Sequence, residues 1–143
     1  MTLPSHPKFL PLIRSLVERG AEVAGFRPDE QRHISLGVTE GITNVMRHGY
    51  RGSTDGRIDV RLEAPNGVFR IEIQDYGEFV DPGVIRSRAL EDVRPGGLGV
   101  HLMHATMDTV DYRKNERGGT TLTMVKRIAV PCPPPEGPPG ESS

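Results

Sequence analysis

Arg57-Ile58-Asp59-Val60-Arg61-Leu62-Glu63-Ala64-Pro65-Asn66-Gly67-Val68-Phe69-Arg70-Ile71-Glu72-Ile73-Gln74 is the stretch on which the fold turns. Ile58, Val60 and Leu62 alternate with Arg57, Asp59, Arg61 and Glu63, and Phe69, Ile71 and Ile73 alternate with Arg70, Glu72 and Gln74. A period of two puts one apolar and one charged face on each strand, as in a sheet covered on one side only. Asn66-Gly67 between them is a hairpin signal, because both residues tolerate the positive φ of a tight turn.

Towards the N-terminus the period changes. Phe9, Leu12, Ile13, Leu16 and Val17 recur at helical spacing, and Gly20 and Gly25 bracket the end of that pattern. Pro28 suits a first helical turn, and Ile34, Val38, Ile42 and Val45 form an apolar stripe towards Gly49, predicting a second helix over Pro28 to His48. Towards the C-terminus, Tyr76 to Pro95 lacks sustained periodicity and reads as a long connection of the kind that forms lids or binding loops. A short helix from about Gly99 to Met107 and strands near Thr109 to Arg113 and Thr120 to Ile128, joined through Gly118-Gly119, complete the pattern. Helices on one side and hairpin-connected strands on the other predict a two-layer α+β sandwich, its open face holding the ligand.

The 143 residues, 35% of them hydrophobic, suit one compact domain, expected over residues 1–130. Six prolines between Pro131 and Pro139, with no large apolar residue among them, predict a disordered tail over 131–143. A net charge of −1 from 18 basic and 19 acidic residues spread along the chain argues against nucleic acid as a direct partner. Cys132 stands alone, and no apolar run could span a bilayer, so a cytoplasmic protein is expected.

Three features carry chemistry. Glu40, Asn44 and His48 fall at successive i, i+4 positions and border the apolar face of the second helix; alone they read as a solvated flank. Gly37 projects on the same side and is expected to leave room for a bound group. Asp75 ends an alternating strand and precedes Gly77, an arrangement a simple turn would also produce. Gly96-Gly97-Leu98-Gly99 opens into Val100 and His101, offering flexible backbone and a helix start to phosphate; a tight turn is the plainer account of such a run by itself. The lysine-containing loop of P-loop enzymes is missing. His101 and His104, with His48 or His33, are better explained by packing or surface exposure than as metal ligands, since no acidic or cysteine partner stands at a recognisable spacing.

In order, Glu40-x-x-x-Asn44-x-x-x-His48, Asp75-x-Gly77, Gly96-Gly97-Leu98-Gly99 and Gly119-Thr120 resemble the boxes of the GHKL ATPases, also called the Bergerat fold. Within that superfamily Thr43 to Tyr50, Asp75-Tyr76-Gly77 with Asp81-Pro82, and Gly97-Leu98-Gly99 through Met107-Asp108 look most like the bacterial anti-sigma-factor serine kinases. The resemblance covers about Phe9 to Ile128. It implies a mixed, mostly antiparallel sheet covered by helices on one face; the family's usual leading strand is expected to be short or absent here, because the sequence begins almost at the first helix. It implies ATP or ADP as ligand, with Asn44 on the Mg2+ ion and Glu40 as the catalytic base near the γ-phosphate. Asp75 would accept the adenine amino group, Gly77 would leave space for the base, and Thr120 would support the adenine end. Gly96, Gly97, Leu98, Gly99 and Val100 would bring amides to the phosphates, with His48 and Arg94 as further nucleotide contacts. The implied activity is serine/threonine phosphorylation of a STAS-domain anti-anti-sigma protein, with a sigma factor as the alternately held partner and a homodimer as a further assembly. The competing expectation is a nucleotide-gated binding module without phosphotransfer.

Overall fold

The computed structural model describes residues 1–79 and 103–128. The chain opens with strand β1 (Thr2–Pro4) and a 3-10 turn (Pro7–Phe9), followed by helices α1 (Leu10–Ala24) and α2 (Pro28–Asn44). A π-helical segment (Val45–Gly49) continues α2, and strands β2 (Arg57–Glu63) and β3 (Val68–Asp75) form the hairpin. Residues 103–106 are helical and lead into β4 (Thr109–Lys114) and β5 (Thr120–Arg127). The expected glycine loop and most of the connection after Tyr76 lie outside the described residues, as does the proline-rich tail.

The five strands form one sheet in the order β1-β2-β3-β5-β4, and every described pairing is antiparallel. Asn66 and Gly67 hold φ of 48° and 78°, the left-handed pair that a tight hairpin needs. The alternation resolves as expected. Phe69, Ile71 and Ile73 turn inward and are at most 2% exposed, while Arg70 between them faces solvent. They meet Ile13, Val17 and Ala21 of α1 and Ile34, Val38 and Ile42 of α2 in one core. Each fully buried side chain of this size contributes about 1.5–3 kcal/mol. The charged outer face contributes far less, because exposed pairs such as Arg61–Glu63 and Arg113–Asp111 are each worth about 0–1 kcal/mol.

Two expectations are met and two need correction. The leading strand is short, as expected: β1 has three residues and pairs with β2 from Thr2↔Asp59 to Pro4↔Arg57, and the Met1 amino group donates to the Val60 carbonyl at 2.8 Å. Gly20 and Gly25 do bracket the end of α1, which runs through Gly20 to Ala24 and is capped by Gly25 in the left-handed region. The α-helix of α2 stops at Asn44 rather than His48, giving way to the wider π turn. Gly37 leaves no room for a ligand: a Cβ there would already sit at ordinary contact distance, 3.4 Å, from the Met103 backbone, so the later helix occupies that side. Among the described residues no helix is long and apolar enough to cross a membrane.

Candidate functional site

Helix α2 begins with Pro28 in its first turn and Asp29 and Glu30 beside it, charges that suit the positive end of a helix. Its buried face runs from Ile34 through Val38 and Ile42 to Asn44. Glu40 is half-buried at the border of that face. Asn44, one turn later, is 4% exposed, and its Nδ2 has no hydrogen-bond partner among the described residues. A buried, unpaired amide donor costs about 1–3 kcal/mol, so its retention in a packed layer marks a place where a polar group is wanted. His48 lies in the π segment and no longer repeats the α-helical step from Asn44. Single π turns of this kind concentrate at functional positions.

The π segment carries Gly49 against the end of β3. A Cβ on Gly49 would stand 3.3 Å from the Asp75 Oδ1, and the Gly49 carbonyl accepts the Glu78 N–H at 2.8 Å. The helix end and the strand end are therefore stitched together. Asp75 faces inward, towards the helices, and is fully buried. Asp75 and the buried Thr120 both lie between the layers, at the strand ends, rather than on the solvent-facing side of the sheet. Asp75 Oδ1 accepts the Gly77 N–H at 3.0 Å, while Oδ2 has no partner among the described residues.

Glycines on three elements make this burial of a carboxyl feasible. A Cβ on Gly77 would fall 2.2 Å from the Gly49 carbonyl oxygen, and one on Gly119 would fall 2.3 Å from the Asp75 carbonyl oxygen. Neither separation is physically accessible to a real side chain. Gly77 thus serves close backbone packing, and its missing side chain does not leave space for a base as the resemblance implied.

Burial sets the electrostatics. Desolvation pushes the Asp75 carboxyl above its ordinary value, and the backbone N–H groups of Gly77 and Thr120 pull part of the way back. Desolvation also raises Glu40, opposed by the neighbouring Arg47 guanidinium. Asp75 is thus a fixed acceptor with one vacant lone-pair direction, and Glu40 a partly open carboxyl with raised proton affinity.

Two supporting residues escaped the sequence reading. Tyr50 donates its hydroxyl hydrogen to the Arg57 carbonyl and accepts the Tyr76 N–H at 2.8 Å, bracing the backbone between Asp75 and Gly77. Asn115, in the β4–β5 turn, donates Nδ2–H to the Asp75 carbonyl at 2.7 Å. Both contacts join residues distant in sequence, and only the Asn115-x-x-Gly118-Gly119 turn chemistry offered a local signal. Of the expected site residues, Glu40, Asn44, His48, Asp75, Gly77 and Thr120 are described, and the structure gathers Asp75, Gly77 and Thr120 into one cluster beside Gly49. Arg94, Gly96, Gly97, Leu98, Gly99 and Val100 lie outside the described residues. So does His101 of the histidine reading, and no group of three potential metal-binding His, Cys, Asp or Glu side chains gathers among the described residues.

The chain is 26% identical over 136 residues to the serine-protein kinase RsbW of Bacillus subtilis, spanning 90% of this chain and 84% of that protein. It is 29% identical over 137 residues to RsbW of Staphylococcus epidermidis, spanning 90% and 85%. Among solved structures, the histidine kinase domain of the Erythrobacter litoralis EL346 blue-light activated histidine kinase superposes with a TM-score of 0.56 at 16% identity, over 87% of this chain and 61% of that one. The catalytic domain of the histidine kinase ThkA gives 0.54 at 11% identity, over 84% and 90%. These structural likenesses concern the fold. The model of the histidine kinase-like ATPase domain matches residues 3–126, nearly the whole of the described sheet and both helices, and the chain belongs to that family.

Proposed function

We propose that this chain binds ATP with adenine on Asp75 and transfers the γ-phosphate to a serine or threonine hydroxyl of a protein partner. The observation that carries the reading is the fully buried Asp75 carboxyl with Oδ2 left unpartnered at the end of β3. An ionised carboxylate only accepts hydrogen bonds, and the adenine amino group is a donor; guanine presents a carbonyl oxygen in the equivalent place and would leave the pair unmatched. Thr120, buried beside Asp75, supports the same end.

Asn44 suits the phosphate end. Its Oδ1 is a hard oxygen of the kind magnesium takes, and its unpartnered Nδ2 is a donor for a phosphate oxygen. Glu40 stands nine residues before Gly49, roughly 13 Å of helical rise from the Asp75 end, which is the reach of one extended nucleoside triphosphate. When bound, Mg-ATP supplies the transferable phosphoryl group. Glu40 orients the partner hydroxyl and takes its proton at a carboxylate oxygen, and its raised proton affinity brings that base closer to working pH. Arg94, His48 and the run Gly96, Gly97, Leu98, Gly99 and Val100 are assigned to the phosphates on the sequence pattern. The RsbW relatives are named as serine-protein kinases, which supports the activity here. We assign the partner to the STAS-domain anti-anti-sigma class and the alternately held protein to a sigma factor, with the chain acting in the cytoplasm.

The test is transfer from radiolabelled ATP to the cognate STAS-domain protein, with labelled GTP in parallel. Label on a serine or threonine from ATP alone is the expected result. ATP binding with no labelled partner would instead make the chain a nucleotide-gated binding module.

A further inference from the structure

We infer that Asn115 is a positioning residue for adenine recognition, holding the backbone of Asp75 so that its carboxylate keeps one vacant oxygen aimed into the site. The inference rests on the assignment of Asp75 to adenine. The β3–β5 ladder runs from Val68↔Arg127 to Gln74↔Thr121 and stops one residue short of Asp75. Beyond that point, Asn115 Nδ2 donates to the Asp75 carbonyl oxygen at 2.7 Å and takes over from the main-chain ladder.

The same side chain organises its own turn. Its Oδ1 accepts the Arg117 N–H at 3.1 Å and the Gly119 N–H at 3.0 Å. Two backbone donors converging on one terminal atom identify it as the oxygen, which leaves Nδ2 as the donor to Asp75. The Asn115 N–H donates to the Gly119 carbonyl at 2.9 Å, so the turn is tied at both ends. Gly119 then lies flat on Asp75: a Cβ there would come within 2.8 Å of Oδ1 as well as 2.3 Å of the carbonyl oxygen. Asn115 therefore links the turn that presses on Asp75 to the peptide group from which its carboxylate projects. Without that link the last residue of β3 loses its anchor on the β5 side, and the Gly77 and Thr120 amides no longer meet a carboxylate at a fixed angle.

Asn115→Asp separates positioning from turn formation, because it keeps the acceptor for Arg117 and Gly119 but removes the donor to Asp75. In the full chain, this variant should keep its melting temperature within a few degrees. Hydrogen exchange at the Gly77 and Thr120 amides should rise on the order of 10-fold, and ATP affinity by calorimetry should fall about 10-fold, a loss typical of one removed hydrogen bond. Should transfer be active, KM for ATP rises with kcat nearly kept, since adenine is held equally in ground and transition states. Asn115→Ala, which also removes the turn acceptor, should add a loss of thermal stability. Unchanged exchange at both amides, or raised exchange with unchanged ATP affinity in Asn115→Asp, overturns the inference. A fall in melting temperature and kcat together with no change in KM would make the residue structural and overturn it too. If the unmodified chain binds no ATP, the assignment of Asp75 fails, and the exchange measurement alone decides whether Asn115 holds Asp75.

Discussion

Asp75 and Glu40 carry the same functional group in two settings, and under the proposed function the contrast is what separates recognition from proton transfer. Asp75 is sealed between the layers, with two backbone amides and three close glycines around it. Glu40 stands half-buried on a helix, with Arg47 as the opposing charge among the described residues. Burial raises the proton affinity of both. The sealed carboxyl is held by fixed dipoles and offers one unmatched acceptor, which is what selecting a purine amino group requires. The half-open carboxyl can exchange a proton with a visiting hydroxyl, as a general base must.

The largest effect should separate the two. Glu40→Gln is expected to lower phosphate transfer by about 10²–10⁴-fold while leaving ATP affinity within a factor of a few, read by labelled transfer and calorimetry. Transfer at the unmodified rate would remove Glu40 from the base's role and erase the contrast. Gly77→Ala acts on the other carboxyl. Its methyl group has to displace the Gly49 carbonyl, so a loss of about 1–3 kcal/mol in denaturant unfolding should accompany weakened ATP binding. A variant as stable as the parent would show that the strand end and helix end yield easily.

A smaller effect has the opposite sign. A carboxyl whose folded pKa is raised binds more protons folded than unfolded, so its contribution is greatest below the ordinary carboxylate range and is lost as pH rises through the raised folded value. Asp75→Asn removes that loss. Thermal melts should show the variant gaining on the parent as pH rises through this window, until both states of the parent are ionised. A gain that shrinks as pH rises would contradict the raised value. The smallest effect belongs to Arg47→Ala. Arg47 lowers the proton affinity of Glu40, so its removal should move the acid limb of the transfer rate to higher pH, a small shift because the charge is exposed. The shift should fade in high salt.

Much of the fold was legible because its signals are local. Phe69, Ile71 and Ile73 alternate strictly, Asn66-Gly67 allows hardly anything but a tight turn, and the α2 stripe ends in polar residues at fixed spacing. Features made by tertiary contact were not legible. Three residues of β1 have no period of their own and become a strand only by pairing with β2. The π turn after Asn44 leaves no compositional mark, although it delivers Gly49 to Asp75. Gly37 and Gly77 both looked like room for a ligand. A missing side chain reads the same in sequence whether a ligand or a neighbouring backbone fills the space, and here Met103 and Gly49 fill it. Tyr50 and Asn115 reach 26 and 40 residues along the chain for their partners at β3, distances over which no motif speaks.

The most direct test is calorimetric titration of the unmodified chain and of Asp75→Asn with ATP in the presence of magnesium. A vacant buried acceptor predicts saturable heat for the parent and little or none for the variant, which folds at least as stably at neutral pH but presents a donor to the adenine amino group. Equal binding by both proteins, or none by the parent, would contradict the account.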